Sequence, residues 1–397
     1  MEHIKKSLLF NASCTALVVT ALTFATRAGM IGDWSSEFSL SKEDVGWIVG
    51  TAFWGFTLAM ILMGPLVDVI GMKRVIYVAF AGHVAGILLT IFAQGFWSLF
   101  FSTLLIGVSN GSVEASTNPL ITAMYVTDKT KKLNQFHVWF PGGIVIGGLM
   151  VFVLDWLGYG WRTQMAAMLI PTLIYGVMFF GAKFPETERV TAGFSYKDML
   201  KAVVSPLFLF MAACMILTAA TELGSNQWMT ALLENVMEKE GLNAILLLVW
   251  ISGIMALGRS VAGPIVHRLS PSGVLLGSAV FSGIGLYLLS ISSGYWSFGA
   301  AAVFAVGITY FWPTMLGFVN ENIPKSGALG LAIMGGIGFL GGAIAQPLLG
   351  KIYDLRLEKL GNELAAGSQT LRTVIVLTVV LTVAFTFLYL KQRRKSA

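Results

Sequence analysis

The sequence has 397 residues, of which 56% are hydrophobic and only 12% are charged, and its net charge is +6. Soluble domains carry about 25% charged residues, so this composition excludes an ordinary soluble protein and indicates an integral membrane protein. The basic residues fall in short loops rather than in one patch, which argues against nucleic acid as a partner. The apolar runs have the roughly 20-residue length of a membrane-crossing helix, without the alternation of a membrane β-barrel. We therefore expect an all-α membrane protein.

The apolar runs predict 12 transmembrane helices along the chain. The predicted spans are 7–29, 45–69, 75–95, 98–124, 135–155, 162–182, 205–232, 243–266, 272–293, 296–319, 327–350 and 370–390. The charged segment 183–204 divides them into two sets of six. We expect an N-terminal six-helix half at 1–182, a cytoplasmic linker at 183–204 and a C-terminal six-helix half at 205–397.

Lysine and arginine counts predict the orientation. With both termini in the cytoplasm, 18 of these residues, Arg259 among them, lie inside and 7 lie outside, while Arg27 stays in the membrane. The positive-inside rule favours this arrangement over its inverse. We expect a multi-pass protein of the inner cell membrane, surrounded by lipid, with both termini cytoplasmic and a monomer as the oligomeric state.

An internal repeat links the two halves of the sequence. The run Gly64-Pro65 recurs as Gly263-Pro264, Gly142-Gly143 recurs as Gly341-Gly342, and Asp155 recurs as Asp354, all at an offset of 199. Two parallel six-helix repeats are the signature of the major facilitator superfamily, in which the substrate site lies between the halves near the midplane. The glycine-rich faces of spans 5 and 11 suit either helix sliding during gating or static close packing.

The segment GPLVDVIGMKR, residues 64–74, resembles the loop motif between spans 2 and 3 of major facilitator proteins. The resemblance implies conformational gating rather than substrate binding for Gly64, Asp68, Gly71, Lys73 and Arg74. The glycines would allow close helix approach and a tight turn, and Asp68 would meet a cation or a helix N-terminus. A purely topological role for Lys73 and Arg74 stays open.

Glu114 is the only side chain charged at neutral pH between Phe96 and Val126. A charge at bilayer depth costs roughly 2.5–3.5 kcal/mol even on insertion scales, so such a residue usually lines a cavity or has a partner. An apolar environment favours the neutral form of a carboxyl group, which lets it accept a proton near neutral pH. We therefore predict a proton-coupling role for Glu114, with a structural acid as the alternative.

Several segments resemble the fucose/hexose:proton symporter family. They are EASTNP at 114–119, LNQFH at 133–137, Glu222 followed by Trp228, and WPT at 312–314. The resemblance implies that Glu114 carries the proton beside a sugar site. The chain departs from the family in span 1, where Arg27 and Ala28 stand in place of a second carboxylate, and in span 5, where His137 replaces an amide.

The predicted site draws on polar and aromatic residues of several spans. Glu114 and Glu222 are the expected proton-coupling residues, and the expected substrate ligands are Arg27, Asn110, Asn118, His137, Asn226, Gln227, Trp228 and Trp312. There is no nucleotide-binding glycine loop, no metal-ligand spacing and no nucleophile–histidine–acid arrangement, so we expect no cofactor, no metal and no enzymatic activity.

These observations predict a secondary active transporter that works by alternating access and takes up a monosaccharide with a proton. Two alternatives stay open within the same fold. One is a transporter of a sugar acid or another organic anion, in which Arg27 binds the carboxylate. The other is a drug-type exporter, which should have a more apolar cavity with fewer amides. A non-transporting membrane sensor is disfavoured because only seven residues follow Leu390.

Overall fold

The computed structural model describes residues 5–125, 132, 135–186, 196–260 and 269–396. Within these ranges the chain is helical and contains no strand. The helices are α1 (Lys6–Glu37), α2 (Lys42–Ile70), α3 (Met72–Ile91), α4 (Phe96–Met124), α5 (Trp139–Trp156), α6 (Trp161–Ala167), α7 (Leu169–Phe179), α8 (Tyr196–Val203), α9 (Pro206–Ala219), a π-helix (Ala220–Gly224), α10 (Ser225–Glu238), α11 (Ile245–Ser260), α12 (Pro271–Ile291), α13 (Trp296–Ile308), α14 (Phe311–Asn322), a 3-10 helix (Pro324–Ser326), α15 (Gly327–Leu360) and α16 (Glu363–Ser396).

The helical pattern agrees with most of the predicted spans. In the part of the chain that the structure describes, 10 helical segments are long and apolar enough to cross a membrane, and they coincide with predicted spans 1–5, 7 and 9–12. Predicted span 6 is divided at Met168 into α6 and α7, and predicted span 8 is represented by α11 with 16 residues. The prediction of an all-helical membrane protein is confirmed, while the count of 12 spans stays a prediction.

Local sequence explains where the longest helices begin and end. Ser41 and Asp44 form a capping box at the start of α2, in which each side chain accepts a hydrogen bond from the backbone N–H of the other residue. Gly71 has a φ of 89° between α2 and α3, and Gly361 has a φ of 62° after α15. Residues other than glycine rarely adopt such backbone angles, so glycine permits both turns. The predicted tight turn at Gly71 is confirmed.

Two groups of helices contact each other along one end of the bundle. The N-terminal group is α1–α7, and the C-terminal group is α9–α16. Contacts between the groups join α2 to α15, α5 to α11, and α1 to α10. We call the end that contains the starts of α2 and α11 the closed end. There Lys351 also pairs with Glu43 across the groups, with an Nζ–Oε1 distance of 3.3 Å.

Glycines provide close approach both within and between the groups. A Cβ placed on Gly143 would lie 2.6 Å from the Cβ of Ala21 in α1, within the N-terminal group. A Cβ on Gly46 of α2 would lie 2.6 Å from the backbone oxygen of Gln346 in α15, and one on Gly342 would lie 2.9 Å from Phe53. The glycine-rich faces therefore serve close packing within and between the groups, and their role in gating stays a prediction.

The described polar side chains of the loop motif between α2 and α3 make local contacts. No described atom lies within 4 Å of the position that a Cβ on Gly64 would take. Lys73 lies over the ring of Tyr77, at 5.7 Å, and Arg74 donates a hydrogen bond to the backbone oxygen of Ile70. The side chain of Asp68 and the second copy of the motif at 263–268 lie outside the described residues. The gating role of this motif stays a prediction.

Candidate substrate and proton site

Arg27 lies buried in α1 with only 1% of its surface exposed. None of its three guanidinium nitrogens has a hydrogen-bond partner among the residues that the structure describes. Two aromatic rings flank the group, with the Arg27 Cζ 4.8 Å from the ring centre of Phe24 and 6.0 Å from that of Phe53. Arg27 is therefore a cation held by aromatic faces in the interior of the bundle.

The energetics of this arrangement favour an anionic ligand. Cation–π contacts contribute roughly 0.5–2 kcal/mol. Removing an ion from water costs several kcal/mol even after the protein relaxes, and an attractive opposite charge is what normally offsets that cost. Because the aromatic contacts are too weak to balance desolvation, a carboxylate or another anion placed against Arg27 would be stabilised strongly.

A small cavity of about 30 Å³ lies beside Phe24, between the two groups of helices. It is lined by Phe24, Ala28, Phe140, Pro141, Ile144, Glu222, Leu223, Asn226, Gln227, Leu248 and Met255. The space suffices for about one water molecule. A substrate therefore requires the groups to move apart, and Phe24 separates the Arg27 guanidinium from this cavity in the conformation seen.

Glu114 lies near a polar contact between α4 and the start of the α5 segment. Glu114 and Asn118 lie one turn apart on the same face of α4. The Nε2 of His137 is 3.1 Å from the Asn118 Oδ1. The structure thus brings Asn118 and His137 together, one helical turn from Glu114.

Glu222 lies in the π-helix that interrupts predicted span 7, and it lines the cavity. Its Oε1 is 3.2 Å from an Nη2 of Arg259, and both side chains are mostly buried. The Arg259 Nε donates a second hydrogen bond to the backbone oxygen of Thr309. Single-turn π-helices occur frequently at functional sites because the extra residue redirects a side chain. Arg259 was counted among the cytoplasmic charges, and the structure pairs it with Glu222 at 18% side-chain exposure.

Asn110 is bound within the N-terminal group. Its Oδ1 is 2.8 Å from the His83 Nε2, and its Nδ2 donates to the Thr23 Oγ1 at 2.9 Å. The other ring nitrogen of His83 is 2.9 Å from the Tyr175 hydroxyl. This network joins α1, α3, α4 and α7, so the structure does not bring Asn110 to the cavity.

The remaining predicted ligands divide between the cavity wall and the core. Asn226 lines the cavity, and its Oδ1 has no partner in the described ranges. Gln227 also lines the cavity, and its Nε2 donates to the backbone oxygen of Phe24 at 3.3 Å. Trp228 is fully buried, and Trp312 is packed edge-on against Phe339 at 5.5 Å.

Residues that the sequence did not single out also contribute to the site. Phe24 and Phe140 line the cavity, and Arg259 is paired with the cavity residue Glu222. Arg259 could have been recognised as a charge at the end of the apolar run ILLLVWISGIMALGRS. Phe24 and Phe140 could not be recognised from the sequence, because every span contains similar apolar residues.

Comparisons with known proteins agree with this architecture. The family model of the Major Facilitator Superfamily matches residues 10–346. The Gentisate transporter of Corynebacterium glutamicum is 23% identical over 383 residues, covering 89% of this chain and 82% of that protein. The Hexuronate transporter of Bacillus subtilis is 24% identical over 367 residues, covering 83% of this chain and 84% of that protein.

Solved structures show the same fold at low sequence identity. A mutant of the nucleoside transporter NupG superposes with a TM-score of 0.79 at 13% identity, covering 96% of this chain and 99% of that chain. A mutant of the E. coli fucose:proton symporter, FucP, gives a TM-score of 0.65 at 14% identity, covering 95% of this chain and 98% of that one. The chain is a multi-pass membrane transporter rather than an enzyme, and it belongs to the Major Facilitator Superfamily.

Proposed function

We propose that this protein is a proton-coupled importer of an organic acid, whose carboxylate binds to Arg27. The observation that carries the proposal is the buried guanidinium, for which the described residues offer no hydrogen-bond acceptor. A carboxylate would pair with two of its nitrogens at once, which is the strongest geometry available to such a pair. This favours the anion alternative of the sequence analysis over a neutral monosaccharide.

The names of the relatives support an acidic substrate. The two relatives that cover 89% and 83% of this chain are named for gentisate and hexuronate, and both of these compounds are carboxylates. At 23% and 24% identity the likeness supports the chemical class and not a particular compound. A drug-type exporter would share the largely apolar cavity wall, but Glu222, Arg259 and Arg27 near that wall favour a charged substrate.

Proton coupling is assigned to Glu114 and Glu222. Glu114 lies one turn before Asn118, whose side chain contacts His137, and Glu222 is paired with Arg259. A proton on Glu114, or on Glu222 with release of Arg259, would change the charge that the substrate meets. Such a link between proton and substrate is what symport requires.

We also propose an arrangement of the protein in the membrane. The positive-inside count places the closed end on the outside of the inner cell membrane, with both termini in the cytoplasm. The conformation would then be closed to the outside, as expected for an importer between release and the next uptake. A monomer is proposed as the working unit.

A neutral monosaccharide is the second candidate. The run EASTNP at 114–119 and the likeness to the fucose:proton symporter fold favour it. In that case Asn226 and Gln227 would bind hydroxyl groups, and Arg27 would pair with an acid of the protein in another conformation.

Uptake into proteoliposomes tests the proposal. Radiolabelled glucose and fucose are compared with glucuronate and 4-hydroxybenzoate, with and without an inward proton gradient, for wild type, Arg27→Ala and Glu114→Gln. We expect gradient-driven accumulation of at least one carboxylate, its loss in Arg27→Ala, and equilibration without accumulation in Glu114→Gln. Accumulation of a neutral sugar alone, at an equal rate in Arg27→Ala, would refute the proposal and favour the second candidate.

A further inference from the structure

Six aromatic rings from both groups of helices meet beside the cavity, and we call them the aromatic cluster. The ring of Phe24 in α1 is 5.1 Å from Phe53, 5.5 Å from Phe140 and 6.1 Å from Phe339, measured between centroids. Phe339 of α15 is also stacked on Phe56 at 3.6 Å and is 5.5 Å from Trp312. The cluster therefore spans α1, α2, α5, α14 and α15, where the two groups of helices meet.

The Arg27 cation adjoins the aromatic cluster. The guanidinium of Arg27 lies on the ring of Phe24 and beside that of Phe53. Phe24 and Phe140 also line the cavity. A ligand with its carboxylate on Arg27 would place its adjoining carbon atoms against these rings.

The polar groups of the cavity wall are few and mostly engaged. Eight of its 11 lining residues are apolar, and the other three are Glu222, Asn226 and Gln227. Glu222 is paired with Arg259, and the Gln227 amide donates to a backbone oxygen. The Asn226 Oδ1 is buried and has no partner among the described residues.

The small number of polar residues in the cavity wall favours one class of acid over another. Each buried hydroxyl without a partner costs about 1–3 kcal/mol. A sugar acid would bring about four or five hydroxyls to a wall with only three polar residues, so several hydroxyls would lie against apolar side chains. An aromatic ring needs no hydrogen bonds, and offset or edge-on contacts with other rings contribute roughly 0.5–1.5 kcal/mol each beyond burial of area.

We infer that the transported acid is an aromatic carboxylate with few hydroxyl groups. Its carboxylate binds to Arg27, its ring packs in the aromatic cluster, and a ring hydroxyl donates to Asn226. This inference rests on the proposed function, because it requires Arg27 to bind the carboxylate.

A substrate series in proteoliposomes tests the inference. We would measure KM and initial rates for 4-hydroxybenzoate, its saturated analogue 4-hydroxycyclohexanecarboxylate, and glucuronate. Wild type is compared with Phe140→Leu and Phe339→Leu, which remove a ring from the aromatic cluster. Phe179→Leu serves as the matched control, because Phe179 is fully buried in a separate apolar core of the N-terminal group.

We expect 4-hydroxybenzoate to have a KM roughly tenfold below that of the saturated analogue, as one or two ring contacts would give. Phe140→Leu and Phe339→Leu should remove most of this preference, and Phe179→Leu should keep it. Arg27-dependent accumulation of glucuronate without 4-hydroxybenzoate would overturn the inference and leave the proposed function standing. If no carboxylate accumulates and glucose or fucose does, the proposed function fails as well.

Discussion

Asp155 and Asp354 lie 199 residues apart and make equivalent contacts with the opposite group of helices. The Asp354 carboxylate in α15 accepts hydrogen bonds from the backbone N–H groups of Lys42 (3.2 Å) and Glu43 (2.7 Å) at the start of α2. The Asp155 carboxylate in α5 accepts one from the side-chain amide of Asn243, just before α11, at 2.7 Å. Each aspartate therefore ties the start of a helix in the other group, and both contacts lie at the closed end.

Asp354→Asn should loosen the closed end. The amide retains one acceptor but loses the charge that strengthens both hydrogen bonds, and hydrogen bonds to charged groups contribute about 1.5–3 kcal/mol. Gln346→Cys, fully buried beside α2, is the reporter after Cys14→Ala and Cys214→Ala remove the native thiols. We expect maleimide labelling to become roughly tenfold faster.

The matched control for this experiment is Lys351→Gln. This change breaks the neighbouring Lys351–Glu43 ion pair, whose side chains are 54% and 37% exposed. Exposed ion pairs contribute about 0–1 kcal/mol, so labelling should change by less than about threefold. Equal labelling rates in Asp354→Asn and in its parent would show that Asp354 does not hold the closed end.

Gly46→Ala should prevent full closure of the same end. The added Cβ would lie 2.6 Å from the backbone oxygen of Gln346 and 2.8 Å from the Pro347 Cα, and neither backbone atom can move alone. Gly142→Ala is the control, since no described atom lies within 4 Å of its added Cβ. Maleimide labelling of Gln346→Cys should rise with Gly46→Ala only, and an unchanged rate would contradict the packing described for α2 and α15.

Glu222 and Arg259 should behave as a unit in stability measurements. Removing one partner of a buried ion pair costs about 3–5 kcal/mol, because the other charge stays behind without compensation. Arg259→Gln should therefore lower the melting temperature in detergent more than the double change Arg259→Gln with Glu222→Gln. Strictly additive losses in this double-mutant cycle would mean that the pair has no energetic coupling.

Asn110→Ala should mainly lower stability, whereas Asn226→Ala should mainly weaken substrate binding. Asn110→Ala leaves His83 and Thr23 without their partner in the core, at a cost of about 1–3 kcal/mol, so the melting temperature should fall while the KM stays near wild type. Asn226→Ala should raise the KM and leave the melting temperature nearly unchanged. A raised KM in Asn110→Ala at an unchanged melting temperature would return Asn110 to the substrate site.

Much of the fold could be predicted because spans are long apolar runs. The length of these runs identified ten helical segments, and the glycine at 71 identified the turn after α2. The breaks at Met168 and in the π-helix were not predicted, since a break inside an apolar run leaves composition unchanged. Tertiary packing decides such features.

The candidate site could be predicted only in part. Glu114, Asn118 and His137 were recognised, since a charge or an amide is conspicuous in an apolar run, and Asn118 and His137 come together. The partners of these side chains could not be predicted. Asn110 is hydrogen-bonded in a network with His83, and Arg259 is paired with Glu222. Which face of a helix meets which neighbour depends on rotation and tilt, and one sequence carries little information about either.

The most direct test of the central claim is a comparison of carboxylates with their neutral amides. Equilibrium binding of 4-hydroxybenzoate and 4-hydroxybenzamide, and of glucuronate and glucuronamide, is measured for the wild-type protein and for Arg27→Gln. We predict that wild type binds at least one carboxylate roughly a hundredfold more tightly than its amide, and that Arg27→Gln loses this preference, since a charged buried contact contributes about 2–5 kcal/mol. Equal preference for the carboxylate in both proteins would contradict the assignment of Arg27 as the carboxylate-binding residue.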